Sequence, residues 1–113
     1  QDRIKDMIVS GGENIYSTEV EAALFAHPDI IDAAVIGVPN EKYGEVVKAC
    51  IVKKGGSNLS EDDVINFCKD RIASYKKPQS IDFIDEVPRN ASGKVLKKVL
   101  REPYWKDQDR QVS

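Results

Sequence analysis

Cysteine is scarce. The two present, Cys50 and Cys68, lack the spacing of a metal site or a disulfide framework. Each sits within an apolar periodic run, so both read as buried, reduced thiols of a cytoplasmic protein. Histidine is scarcer still: His27 stands alone before Pro28 at an expected helix end, where an imidazole serves capping rather than chemistry. No apolar run approaches the roughly 18 residues of a membrane span, and no secretory signal is visible. A net charge of −2 lacks the basic excess on which nucleic-acid affinity rests. A phosphate-cradling P-loop is also missing, because Val95 follows Lys94 where that motif needs serine or threonine. Neither an internal repeat nor a low-complexity segment appears.

What remains is the balance of a globular domain: 113 residues, 32% charged and 41% hydrophobic, enough for one core. The chain opens at Gln1 and enters a patterned segment at once, so it reads as a piece of something larger. Residues 4–9 and 13–16 are short extended pieces around Gly11-Gly12, a pair suited to a turn with positive φ. Thr18 and Glu21 have capping-box spacing, and Val20, Ala23 and Leu24 then recur at helical intervals up to Pro28. Ile30 to Val38 is nearly continuous apolar, as in a strand covered on both faces. Pro39 to Gly44 reads as a loop, and Glu45 to Lys53 as the next strand. Ser60 and Asp63 cap a second helix whose apolar face is Val64, Ile65, Cys68 and Ile72.

After a basic connector, Ala73 to Pro78, a strand from Ser80 to Ile84 turns Ile81 and Phe83 to one side. Leu96, Val99 and Leu100 form the buried stripe of a last helix, and residues 103–113 read as a polar, frayed tail. The order β-β-α-β-β-α-β-α predicts an α+β domain over residues 1–102. It should hold a small antiparallel or mixed sheet covered by about three helices, with an N-terminal two-stranded hairpin.

Two segments point to chemistry. Pro88-Arg89-Asn90-Ala91-Ser92-Gly93-Lys94 places a lysine on a glycine-hinged polar loop, able to deliver positive charge to another surface. The opening block, Asp2-Arg3 to Glu21, contains Ser10-Gly11-Gly12-Glu13-Asn14-Ile15. Between them lie Gly37-Val38-Pro39 and Tyr43-Gly44-Glu45. Taken together, these segments resemble the C-terminal domain of adenylate-forming (AMP-binding) enzymes over nearly the whole chain. The opening block resembles acyl-CoA synthetases more than peptide-synthetase adenylation domains.

The resemblance implies a mobile lid of an AMP-forming acid–thiol ligase acting on fatty or aromatic acids. It implies ATP, Mg2+ and coenzyme A as cofactors and co-substrates, with ATP and the metal held mainly by a larger N-terminal domain. Lys94 is then the adenylation lysine. Carboxylate attack on the α-phosphate gathers negative charge, and an ammonium placed there stabilises the transition state more than the ground state. For the thiol step the whole domain would rotate about Lys5. Arg3 would reach the nucleotide, and Gly11, Gly12 and Lys77 would line the coenzyme A path.

Each role has a plainer counterpart. Lys5 is an ordinary strand lysine, Arg3 an ion-pair partner of Asp2 or Asp6, Gly11-Gly12 a turn, and Lys77 part of a solvated basic loop. Gln79 stands where some relatives carry a second cation. Arg89, Lys97, Lys98 and Arg101 form a basic cluster that either steers ATP or is simply solvated. The pattern P-x-x-x-x-G-K further implies a lysine acetyltransferase acting on Lys94. Two alternatives stand beside the synthetase: a domain loading a carrier protein, and a non-catalytic module that binds a partner or coenzyme A.

Overall fold

A computed structural model describes residues 7–112, with side chains through Lys106; Arg3 and Lys5 lie outside the described residues. The chain runs β1 (Met7–Ser10), β2 (Glu13–Tyr16), α1 (Ser17–Phe25), β3 (Ile30–Asn40), β4 (Gly44–Lys53), α2 (Glu61–Lys69), a 3-10 turn (Ser74–Lys76), β5 (Ser80–Phe83) and α3 (Lys97–Val112). Gly11 and Gly12 take φ of 58° and 86°, and Ser10 pairs with Glu13 across them, so the glycine pair forms the expected two-residue hairpin turn.

The sheet is mixed, in the order β2-β1-β4-β3, with β5 joining β4 in parallel and all other pairs antiparallel. Pro39 is tolerated inside β3 because that strand lies at an edge of the sheet. The period of two along β4 sorts its side chains. Val47, Ala49 and Ile51 join the core under α1 and α2, with Val20, Leu24, Val64 and Cys68. Val46 and Cys50 face the other way, with Ile36, Val38, Leu100 and Tyr104 beneath α3. Covering on both faces explains why β3 reads as a nearly continuous apolar run. Among the described residues, no helix is long and apolar enough to cross a membrane.

Several local expectations change. Ser60 and Asp63 do form a reciprocal capping box at α2, but Thr18 and Glu21 do not form one at α1. Tyr16 is the N-cap there, without a side-chain bond, and the Glu21 carboxylate instead accepts the Val35 N–H at 2.9 Å. Phe83 does not share the burial of Ile81; it is exposed, with the Lys53 ammonium 4.5 Å from its ring centroid. Val99 is exposed as well. Because α3 begins only at Lys97, its inward face is Leu100 and Tyr104, one turn apart.

The helix also continues through Pro103 to Val112, where a frayed tail is expected from the sequence. Tyr104 and Trp105 fasten it: Tyr104 donates to Asp82, and Trp105 Nε1 donates to the Gly37 carbonyl at 2.8 Å. His27 acts just past the end of α1, but as an acceptor, its Nδ1 taking the Asp29 N–H at 3.0 Å.

Candidate functional site

Lys94 is exposed at the end of a tight loop whose backbone is tied by one side chain. Asn90 Oδ1 accepts the Ser92 N–H at 3.0 Å, the Ser92 hydroxyl at 2.9 Å and the Lys94 N–H at 2.9 Å. Backbone bonds close the same loop, Asn90 N–H to the Lys94 carbonyl and Gly93 N–H to the Asn90 carbonyl, both at 2.9 Å. Arg89 and Val95 pair as an isolated antiparallel bridge. Gly93 takes φ of 89°, a conformation other L-residues rarely adopt. The glycine-hinged loop is therefore a small, ordered hairpin: Gly93 sets its shape rather than loosening it.

The neighbouring cations divide in two. Arg89 Nη2 lies 2.8 Å from both carboxylate oxygens of Asp32, while Nη1 donates to the Gly93 carbonyl at 3.0 Å. Lys97 Nζ pairs with Glu21 Oε2 at 2.9 Å and donates to the Ser17 hydroxyl at 2.9 Å. These two hold the loop. All four cations, Lys98 and Arg101 included, line a depression of about 510 Å³ with Lys94, Glu21, Phe25, Val95 and Leu96. Its apolar floor and cationic border suit an anionic group presented by another body.

Gly11 and Lys77 meet elsewhere, in a second depression of about 500 Å³ lined also by Ser10, Glu13, Tyr43, Tyr75 and Gln79. It shares no lining residue with the first. Gly11 donates its N–H to the Tyr43 carbonyl at 2.9 Å, and a Cβ on Gly11 would lie 3.0 Å from the Tyr43 ring. Lys77 Nζ rests against the Ser74 carbonyl at 3.3 Å, whereas Lys76 turns away to pair with Glu19 at 2.8 Å. Gly12, at the turn beside Gly11, is exposed and does not line this depression.

A third polar group was not singled out in the sequence. Lys48 is buried on the α3 side of β4, 3.0 Å from Asp82 Oδ1, with its ammonium 5.0 Å from the Tyr104 ring centroid. Burial works to raise the Asp82 pKa, but the Tyr104 hydroxyl and Lys48 outweigh it and hold it below the usual carboxylate value. The hydrogen bond to Asp82 pushes Tyr104 up to about 12. Burial, with Asp82 nearby, pushes the Cys50 thiol up to about 11, and burial does the same for Cys68. Both thiols are therefore unreactive by position. The signal for this cluster was a lysine inside the alternating pattern of β4. Among the described residues, no three His, Cys, Asp or Glu side chains converge to hold a metal ion.

Comparison with known proteins identifies the family. Residues 19–94, about two thirds of the chain, match the model of the AMP-binding enzyme C-terminal domain. The chain is 55% identical to a 3-[(3aS,4S,7aS)-7a-methyl-1,5-dioxo-octahydro-1H-inden-4-yl]propanoyl:CoA ligase of Rhodococcus jostii over 89% of its length. It is 44% identical over its whole length to a fatty acid–[acyl-carrier-protein] ligase of Streptomyces coeruleorubidus. Its fold superposes on ATP-bound MatB of Rhodopseudomonas palustris with a TM-score of 0.86 at 39% identity, covering 91% of this chain and 20% of that one. The chain spans about a fifth of the length of the curated relatives it matches (20% and 22%). The chain belongs to the AMP-binding enzyme C-terminal domain family, within the adenylate-forming superfamily that includes these ligases.

Proposed function

We propose that this chain is the mobile C-terminal domain of an AMP-forming acyl-CoA synthetase and that Lys94 acts in its first half-reaction. The observation that carries the reading is an exposed lysine at the tip of an ordered hairpin, on a surface of the domain that can face a neighbour. Brought against the larger N-terminal domain, the Lys94 ammonium would stabilise the negative charge that develops as a fatty or aromatic carboxylate attacks the α-phosphate of ATP. The advantage comes from preorganisation, since the charge is already aimed and needs no reorientation during reaction. Mg2+ would be held by that larger domain.

The second half-reaction needs the other depression. With the domain rotated about Lys5, the exposed turn at Gly11 and Gly12 would let a pantetheine arm pass close to backbone, and Lys77 would meet phosphates of coenzyme A. Two depressions without a common lining residue fit a domain that offers one surface to each step. Arg3 would contact the nucleotide. The 113-residue chain alone would be catalytically silent, because the acyl pocket lies outside it. We place the enzyme in the cytoplasm, consistent with two free, buried cysteines.

ATP–pyrophosphate exchange by the full-length protein tests the assignment. Lys94→Ala should lower exchange by about 100-fold or more; undiminished exchange would remove Lys94 from the chemistry. Lys5→Pro should instead impair thioester formation while leaving exchange in place. An unimpaired thioester step in that variant would reject Lys5 as the pivot. A second reading, transfer to a carrier protein, is favoured by the match of this whole chain to about a fifth of an acyl-carrier-protein ligase. Exchange without acyl-CoA product would support it.

A further inference from the structure

The hairpin bearing Lys94 is fastened on both sides by charges from other elements. Upstream, the Arg89 guanidinium joins two bodies: one nitrogen holds the Gly93 carbonyl beside Lys94, the other holds Asp32 on β3. Downstream, Lys97 comes three residues after Lys94 and is tied to Glu21 and Ser17 of α1. Glu21 is itself fixed by the Val35 N–H. We propose that Asp32 and Arg89, with Glu21 and Lys97, are positioning residues that fix where and in which direction Lys94 points during adenylation.

Stability alone accounts poorly for the upstream strap. Asp32 and Arg89 keep 27% and 39% of their side-chain surface, and ion pairs so exposed stabilise a fold very little. Yet β3 departs from regular pairing at this spot. Its register shifts between Ile30 and Asp32, and Ile31 is left 60% exposed. Asp32, the first residue paired after that shift, is the one that receives Arg89. Arg89 lines the depression beside Lys94, but both its terminal nitrogens are engaged by Gly93 and Asp32, so it acts through the loop. The downstream pair is more enclosed, at 13% and 18%, and gives the hairpin a second fixed end. A charge that must meet a transition state loses much of its effect when displaced by an ångström.

This inference rests on the reading of Lys94 as the adenylation lysine, and the test separates the two. In the full-length ligase, ATP–pyrophosphate exchange is measured with kcat and the KM for ATP resolved, alongside thioester formation from supplied acyl-adenylate. Asp32→Asn and Arg89→Lys should each lower the exchange kcat about 10- to 100-fold. Neither should change the KM by more than about twofold or slow the second step. Asp32→Glu should recover part of the rate. In a Lys94→Ala background, Asp32→Asn should cause no further loss, because its effect passes through the lysine.

If Asp32→Asn does not fold, as judged by its thermal midpoint, Arg89→Lys decides. Wild-type exchange in both variants, with exchange lost in Lys94→Ala, overturns the positioning role and leaves the Lys94 assignment standing. Undiminished exchange in Lys94→Ala overturns both. Equal loss in the two steps, or additive loss in the Lys94→Ala background, assigns the strap to folding alone and overturns the inference.

Discussion

Single side chains decide the local shapes on which the proposed chemistry depends. The Asn90 amide oxygen gathers three donors and so turns a polar stretch into a defined hairpin with Lys94 at its end. Gly11 is a second such position. Its φ of 58° is costly for other L-residues, and the Tyr43 ring stands where a Cβ would project. Gly11→Ala should therefore lower stability by about 1 kcal/mol, read as an earlier chemical-unfolding midpoint. An unchanged midpoint would mean that the turn and Tyr43 relax freely. Lys94, Gly11 and Lys77 can be proposed from the sequence because each lies in a short motif whose residues are neighbours along the chain. Asp32 cannot, since its partner Arg89 stands 57 residues away and nothing local marks the pair.

Among the elements, α3 shows most clearly how tertiary contacts override local pattern. Pro103 and the polar run after it argue for an end to the helix, yet aromatic anchors hold it down. The Tyr104 hydroxyl donates to Asp82, which is also paired with the buried Lys48. Since this bond raises the Tyr104 pKa to about 12, the neutral phenol is the form that the fold favours. Its contribution is complete below the ordinary tyrosine pKa of about 10 and disappears as pH rises towards 12. Asp82, with a lowered pKa, contributes above the ordinary carboxylate pKa and loses that contribution as pH falls through its own lower value.

Tyr104→Phe should therefore be less stable than the parent by about 1–2 kcal/mol near pH 8. That difference should shrink between pH 10 and 12, as followed by unfolding midpoints. A gap that stays constant up to pH 12 would show that the hydroxyl does not hold α3. The strands and α2 were legible because alternation, glycine turns and the Ser60–Asp63 cap are local signals. The Thr18–Glu21 spacing misled because Glu21 has a stronger partner set across the fold, in Val35 and Lys97.

At the scale of the molecule, one sheet covered on both faces carries two separate depressions. The hairpin after β5 offers a lysine beside one depression, and the turn between β1 and β2 offers bare backbone beside the other. The family was readable from the terminal motifs, and the α+β architecture from the order of patterned segments along the chain. What the sequence did not reveal is how firmly the lysine loop is fastened, because straps formed by Asp32 and Glu21 come from distant strands and helices. The most direct test of the central claim compares the two proposed half-reactions in the full-length protein carrying Lys94→Ala. Acyl-adenylate formation should fall by about 100-fold or more, while thioester formation from supplied acyl-adenylate stays near the parent rate. An equal fall in both steps, or adenylation at the parent rate, would contradict it.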